Sequence, residues 1–65
     1  FDNPSPVQHD VTIVRGSQKL GATKIVTQAK TSTEVVLQPG AYVFYCSVDG
    51  HRQAGMEGQL SVQAP

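Results

Sequence analysis

The sequence predicts an all-β fold, a small sandwich or barrel, on three observations. Apolar and polar residues alternate in several short runs, and this alternation is typical of a strand with one buried face. No segment keeps an apolar period of about 3.6 residues for more than about two turns, so helices are not expected. Glycine and proline separate the runs, as in β-sandwiches and barrels. We therefore expect one all-β domain over residues 1–65, with a small core because so short a chain buries only about 60% of its surface.

The first predicted strand covers residues 9–14, in which His9, Val11 and Ile13 share the face that we expect to point into the core. The next stretch, residues 16–23, is mostly polar and carries two glycines, so it is predicted as a loop. Residues 24–28 alternate more weakly and form the second strand candidate.

The third strand is predicted over residues 33–37, because apolar residues alternate there and a Pro-Gly turn follows. Residues 41–47 form the fourth strand, and Cys46 closes its inward face. Residues 58–63 form the fifth. His9 opens the first strand and Cys46 ends the fourth, so both are expected at the edge of the core, where loops meet.

The composition excludes several classes of function. Five basic and five acidic residues give a formal net charge of zero, so the clustered basic face of a nucleic-acid-binding protein is not expected. No run of about 18 apolar residues is present to span a membrane, and no signal peptide is recognisable, so any targeting segment is expected outside this chain. The single cysteine excludes an internal disulfide and leaves a thiol that a metal could occupy.

One short segment carries three side chains that bind soft metals. Cys46, His51 and Met56 follow the pattern C-x4-H-x4-M. Thiolate and thioether suit Cu(I), and two histidines with a cysteine in one plane and a weak axial methionine are typical of a blue-copper site. His9 is the only other histidine. The predicted ligands of one copper ion are therefore His9, Cys46, His51 and Met56.

Taken singly, each of these residues has a simpler interpretation. A lone methionine or buried cysteine usually fills the core, and a lone histidine is rarely a ligand. The copper interpretation depends on all four occurring together in a chain otherwise poor in these residues. Zinc is disfavoured because only three good zinc ligands exist, and a two-copper centre because it would need a second, bridging cysteine. Gly50 and Gly55 are predicted to supply the permissive backbone that turns the loop back onto one point.

Three segments resemble the cupredoxins, the copper-protein family of plastocyanin, azurin and auracyanin, and together they cover most of the chain. They are Phe-x-Asn at residues 1–3 with a histidine at position 9, Leu-x-Pro-Gly-x-Tyr-x-Phe-Tyr-Cys at residues 37–46, and Gly-Met-x-Gly-x-Leu-x-Val at residues 55–62. The C-x4-H spacing is closer to azurin and auracyanin, and the Ala-Gly-Met ending to plastocyanin and auracyanin. Auracyanin-like bacterial proteins are therefore the nearest resemblance.

The resemblance implies a Greek-key cupredoxin-like sandwich that lacks the two N-terminal strands of the family. Residues 1–65 would then form a single, N-terminally incomplete cupredoxin-like domain. In the family the first strand lies beside the histidine strand, so residues 9–14 are expected to form an exposed edge, open to self-association or to a strand-completing partner. Three explanations stay open: a fragment, which we favour, a minimal natural version, or a half completed by a partner.

One position departs from the family pattern. Family members commonly carry asparagine after the first copper histidine, where this chain has Asp10. Asp10 is expected to accept hydrogen bonds, for instance from Ser47, and to lower the reduction potential because it adds negative charge near the metal. Asp10, Ser47 and Asn3 are candidates for orienting the ligands. As in azurin-like sites, the carbonyl of Gln8 is a candidate to approach the metal opposite Met56.

The resemblance implies outer-sphere transfer of single electrons through Cu(I)/Cu(II) cycling rather than an enzyme activity. The expected partners are redox proteins such as cytochromes or membrane electron-transfer complexes, and the expected location is extracytoplasmic, in the periplasm or on the outer side of a membrane. By the same resemblance, electrons are expected to leave through His51. Tyr45 looks like the family's second, remote entry point, and an ordinary half-exposed strand aromatic is an equally good interpretation of it. The apolar patch expected around His51 consists of Pro6, Val7, Val48 and Ala54.

Three functions other than electron transfer are open to a protein with such a site. A copper-storage or delivery protein would favour exposed, Met-rich or paired-Cys sites. The chain could also be the electron-entry domain of a larger copper oxidoreductase. Such an enzyme needs further histidines for its catalytic copper, and both histidines of this chain are already assigned to the predicted site. A structural domain with a vestigial site would not be expected to keep all four ligands.

Overall fold

The structure is a computed structural model that describes residues 1–64, and these residues form six β-strands and no helix. None of them belongs to a helix long and apolar enough to cross a membrane. The strands are β1 (Asp2–Asn3), β2 (Thr12–Arg15), β3 (Gln18–Ala22), β4 (Ala29–Lys30), β5 (Gly40–Tyr45) and β6 (Glu57–Val62). The predicted all-β class is confirmed.

The strands of residues 1–64 form two antiparallel sheets. Strands β3, β2, β5 and β6 lie in that order in a four-stranded sheet, and β1 pairs with β4 in a two-stranded one. The predicted strands over residues 41–47 and 58–63 are confirmed as β5 and β6; β5 begins one residue earlier and ends two residues earlier than predicted, and β6 is shifted by one residue. In their ladder Tyr42 lies opposite Leu60, and Tyr45 lies opposite Glu57. Tyr42 is buried, and its hydroxyl donates a hydrogen bond to the carbonyl of Gln38.

The predicted loop over residues 16–23 is wrong, because residues 18–22 form β3 and pair with β2. The two residues between these strands are Gly16 and Ser17, a dipeptide that favours a two-residue hairpin turn. A register shift in the β2–β3 ladder adds a bulge. β3 looks polar in sequence because it is an edge strand, exposed at its first residues.

Two other strand predictions are not confirmed. Residues 24–28 contribute only an isolated bridge, in which Val26 pairs with His9. Residues 33–37 form no strand, and Val36 is 94% exposed. Instead Val35 packs so closely against Gly21 of β3 that a Cβ at that glycine would collide with it. Side-chain packing, rather than a hydrogen-bonded ladder, holds this segment.

The expectation that the histidine strand forms an exposed edge is wrong. β2 begins at Thr12, three residues after His9, and has hydrogen-bonded neighbours on both sides, β3 and β5. The edges of the four-stranded sheet are β3 and β6. Pairing on both sides satisfies the backbone groups of β2, which an edge strand would leave open.

The burial of this segment also differs from the prediction. His9, Val11 and Ile13, the expected inward residues, are only half-buried, whereas the neighbours between and after them, Asp10, Thr12 and Val14, are buried. Asp10 and Thr12 tolerate burial because their polar groups are hydrogen-bonded.

The apolar face of the four-stranded sheet is only partly covered. The ladder register places Ile13, Phe44 and Gly58 on this face, and Phe44 remains 38% exposed. Together with Phe1 and Met56, Phe44 lines an apolar cavity of about 270 Å³ that reaches Cys46. On this side, the end of β5 that leads to Cys46 therefore borders an unfilled cavity rather than a packed core.

Candidate metal centre

Three of the four predicted ligands lie together at one end of the sheets. The donor atoms of His9, Cys46 and His51 are all within 4.8 Å of one another. Cys46 Sγ is 3.4 Å from His51 Nδ1 and 3.8 Å from His9 Nδ1, and the two imidazole ring centroids are 4.9 Å apart. Residues separated by 37 positions in sequence therefore converge on one point.

The spacing of these donors fits a single metal ion. Metal–nitrogen and metal–sulfur bonds of about 2.0 and 2.3 Å, the lengths known for zinc, at angles of about 110–120° place the two donors about 3.5–3.8 Å apart. The observed sulfur–nitrogen distances of 3.4 and 3.8 Å agree with this spacing. Two imidazoles and one thiolate are the in-plane donor set of blue copper.

Cys46 follows directly on β5 and is held by the strand ladder. Its backbone N–H donates to the carbonyl of Met56 at 3.0 Å, which extends the β5–β6 pairing by one position. The residue is only 3% exposed. Its sulfur therefore faces the two imidazoles from a position that water scarcely reaches.

His51 is turned back towards Cys46 by the ligand loop, residues 46–56. Its N–H donates to the carbonyl of Val48, and its own carbonyl accepts hydrogen bonds from the N–H groups of Ala54 and Met56. Gly50 and Gly55 have φ angles of 79° and 104°, a region that side-chain-bearing residues rarely adopt. The prediction that these two glycines supply permissive backbone is confirmed.

His9 is positioned by a pair of backbone hydrogen bonds to Val26. The N–H of His9 donates to the Val26 carbonyl at 3.1 Å, and the N–H of Val26 donates back at 3.0 Å. The side chain of Asn3 joins the same carbonyl, donating to it from Nδ2 at 2.7 Å. The first histidine is therefore tied to a segment 17 residues further along the chain, through a bridge that Asn3 reinforces.

Asn3 is buried and uses its side chain fully. Nδ2 also donates to the carbonyl of Val7 at 2.8 Å, while Oδ1 accepts hydrogen bonds from the N–H and hydroxyl of Ser5 at 3.1 and 2.8 Å. Four hydrogen bonds thus shape the turn that leads into His9. The sequence-based expectation that Asn3 supports the ligands agrees with this position.

Asp10 links the histidine segment to the ligand loop. Oδ1 accepts the N–H of Ser47 at 2.6 Å, and Oδ2 accepts the hydroxyls of Ser47 at 2.6 Å and Thr12 at 3.2 Å. Burial raises the pKa of the Asp10 carboxyl, but the hydrogen bonds from Ser47 and Thr12 outweigh it, so the pKa lies below its ordinary value. The predicted Asp10–Ser47 hydrogen bond is confirmed, and these hydrogen bonds favour the ionised form of the carboxyl group.

A family model described as copper binding proteins of the plastocyanin/azurin family matches residues 3–63, nearly the whole chain. The chain belongs to this copper-binding family. No curated protein and no solved structure matches it significantly. Its six-stranded, two-sheet architecture is that of a cupredoxin-like β-sandwich, and the His-Cys-His cluster of this cupredoxin is arranged to hold one copper ion.

The fourth predicted ligand of this cupredoxin, Met56, lies beside the cluster. Its N–H donates to the His51 carbonyl and its carbonyl accepts the N–H of Cys46. Its side chain is 39% exposed and lines the same apolar cavity as Cys46. The backbone thus brings Met56 next to two ligands, and its role as the axial ligand stays a prediction, as does the approach of the Gln8 carbonyl.

Sequence reasoning missed the side chain that follows the second histidine. Arg52 forms an ion pair with Glu57, with Nε 2.7 Å from Oε2, and its guanidinium lies over the ring of Tyr45, 4.3 Å from the centroid. The available signal was an arginine directly after the histidine of C-x4-H-x4-M and a glutamate directly after its methionine, which carry opposite charges. The ring contact depends on the loop conformation and carried no sequence signal.

Proposed function

We propose that this cupredoxin carries single electrons between redox partners through a type 1 (blue) copper site. The observation that supports this most is the His9, Cys46 and His51 cluster, two imidazoles and one thiol with all donors within 4.8 Å. Copper bound there supplies Cu(I)/Cu(II) chemistry, with imidazole suited to both states and thiolate favouring Cu(I).

The protein's contribution is to hold the ligands still while the charge of the metal changes. The ligand backbones are tied by hydrogen bonds to Val26, Met56, Val48 and Ala54. Cys46 is 3% exposed, which keeps water away from the sulfur. A ligand set that needs little rearrangement, in a site that water scarcely enters, suits fast outer-sphere electron transfer.

Met56 is proposed as the weak axial ligand. It is the only methionine in the chain, and its backbone is hydrogen-bonded to both Cys46 and His51. The test is Met56→Leu compared with Met56→Gln in the copper-loaded protein. An axial role predicts that the two variants shift the charge-transfer band and the potential differently, because glutamine can still donate an oxygen. Identical spectra for both variants and the unmutated protein would rule it out.

His51 is the proposed point at which electrons leave. It is half-buried, and Val48 and Ala54, two members of the predicted apolar patch, are hydrogen-bonded to its backbone. Val7, another member, is 49% exposed. A small apolar patch suits brief docking to a redox protein such as a cytochrome or a membrane electron-transfer complex. Zero formal net charge offers no strong electrostatic steering.

We also propose that the protein is not an enzyme by itself and that it works outside the cytoplasm, in the periplasm or at the outer side of a membrane. The family consists of electron carriers, and His9 and His51, the only histidines of the chain, are both used by the cluster. No histidine is left for a second, catalytic copper.

Copper storage or delivery is the main competing function, and the rate of copper release separates the two. A buried cysteine in a hydrogen-bonded loop favours slow release. The experiment mixes the Cu(I)-loaded protein with an excess of a Cu(I) chelator and follows transfer in time. Release that is slow relative to electron transfer supports the carrier, whereas release as fast as mixing supports delivery.

The central test is spectroscopic. Cu(II) added to the folded, metal-free protein should produce the intense visible charge-transfer band of a copper–thiolate bond. Cys46→Ser should abolish the band. The matched control, Cys46→Ser/Ser61→Cys, moves the thiol to the exposed face of β6 and should not restore it. A folded, unmutated protein without the band would overturn the proposal.

A further inference from the structure

We propose that Arg52 is a positioning residue for His51, clamping the middle of the ligand loop to the sheet through Tyr45 and Glu57. The expected consequence of this contact is slow copper release, and that consequence rests on the proposed function. The structural part of the proposal concerns the loop itself and is measurable without metal.

The two partners of Arg52 flank the ligand loop. Tyr45 is the last residue of β5 before Cys46, and Glu57 is the first residue of β6 after Met56. They lie opposite each other in the β5–β6 ladder. One side chain from the middle of the loop therefore contacts both strand ends from which the loop leaves, through an ion pair of 2.7 Å and a ring contact of 4.3 Å.

Backbone hydrogen bonds join this part of the loop to the sheet only at its C-terminal end, where the N–H of Glu57 in β6 donates to the Gly55 carbonyl. Among the described residues, the backbone hydrogen bonds of residues 48–55 all end within residues 48–57. Ser47 is tied to Asp10 at the start of the loop, and Cys46 to Met56 at its base. Between them, the side chain of Arg52 connects the turn that carries His51 to the strands.

The clamp holds His51 because the two residues are adjacent and share one turn. The His51 carbonyl accepts the N–H groups of Ala54 and Met56, and the Arg52 carbonyl accepts that of Gly55. When the contacts of Arg52 with Tyr45 and Glu57 break, this turn can move as a unit and carry the imidazole of His51 away from Cys46. Opening of such a unit is a local equilibrium, separate from global unfolding.

The expected effect is moderate because the clamp is exposed. The side chains of Arg52 and Glu57 are 43% and 47% exposed, and an exposed ion pair or cation–π contact each shifts an equilibrium by at most about fivefold. Both together predict that loss of the arginine increases opening of the loop by about 5- to 25-fold.

The chain offers a control in a second arginine–tyrosine contact, between Arg15 of β2 and Tyr42 of β5. Arg15 lies over the ring of Tyr42, 5.1 Å from the centroid, and Nη2 donates to the carbonyl of Pro39 at 3.5 Å. Arg15 shares with Arg52 the cation–π contact with a tyrosine of β5, but its second partner is a carbonyl rather than a carboxylate. Tyr42 lies three residues before the end of β5 at which the ligand loop begins, so Arg15→Ala removes a cation–π contact without touching the loop.

The experiment is amide hydrogen exchange of the metal-free protein at the hydrogen-bonded N–H groups of His51, Ala54 and Met56. Arg52→Ala should speed exchange there by about 5- to 25-fold, with amides of β2 and β5 unchanged. Arg52→Lys keeps the charge but not the planar stacking and should recover part of the protection. Glu57→Gln should give a smaller acceleration, and Arg15→Ala less than about twofold.

In the copper-loaded protein, Arg52→Ala should accelerate release of copper to a chelator by a similar factor, and Arg15→Ala should not. Unchanged exchange in the loop of both Arg52→Ala and Glu57→Gln would overturn the clamp. Equal acceleration in all regions, or in Arg15→Ala, would assign Arg52 to global stability instead and also overturn it. Absence of the copper–thiolate band in the unmutated protein would refute the proposed function, while the exchange result still decides the clamp.

Discussion

Replacing Asn3 by aspartate tests how the fold holds His9. The two side chains have the same shape, but aspartate lacks the Nδ2 group that donates to the carbonyls of Val7 and Val26 at 2.8 and 2.7 Å. Those carbonyls would instead face a carboxylate oxygen. The Val26 carbonyl also accepts the N–H of His9, so the disturbance reaches a copper ligand within one hydrogen bond.

The magnitude follows from burial. Asn3 is 3% exposed, and two lost hydrogen bonds account for about 1 kcal/mol each. Buried oxygen atoms left facing one another add about 1–3 kcal/mol. The free energy of unfolding should therefore fall by about 3–5 kcal/mol in total. Since about 1 kcal/mol shifts the Tm of a domain of this size by about 4–8 °C, the Tm should fall by at least about 12 °C.

Thermal unfolding of the copper-loaded protein is the appropriate assay, because metal binding adds stability and keeps a folded baseline in reach. Asp2→Asn is the matched control, since it makes the reverse chemical change at the exposed neighbour on β1 and should change stability by no more than about 0.5 kcal/mol. A loss below about 1 kcal/mol in Asn3→Asp, or an equal loss in Asp2→Asn, would refute the reasoning.

Three further predictions follow from single contacts. Asp10→Asn should raise the reduction potential, because the ionised carboxylate stabilises Cu(II) more than Cu(I); voltammetry giving an unchanged or lower value would contradict this. Gly21→Ala should destabilise by about 1–3 kcal/mol because the new Cβ collides with Val35, and urea denaturation with an unchanged midpoint would show that residues 33–37 are not packed there. Tyr42→Phe should cost about 1 kcal/mol through loss of the hydrogen bond to Gln38, with no change in the copper–thiolate band.

The ligand loop was predictable because its chemistry is local. Cys46, His51 and Met56 lie on one short segment, and glycines at two positions marked its turns. β5 and β6 were predictable for a related reason, since period-two alternation flanks that loop on both sides. These features depend on neighbours in the chain, which sequence patterns record directly.

The strands beyond this region were harder to predict. The sequence of β3 is polar because β3 is an edge strand. It forms because a two-residue turn places it beside β2, with which it pairs. Residues 33–37 alternate like a strand yet form none, since their contacts are side-chain packing against Gly21. In both cases the partner, rather than the segment's own pattern, decides the structure.

By itself the sequence determined the all-β class, the copper-binding ligand types and the loop that carries three of them, because residue chemistry and short-range spacing are written along the chain. Only the tertiary structure decided that His9 meets Cys46, with Sγ 3.8 Å from Nδ1 across 37 residues. That meeting depends on the pairing of β2 with β5, the bridge to Val26 and the Asp10–Ser47 hydrogen bonds. Such contacts form between distant segments, so they are set by the packing of the whole fold.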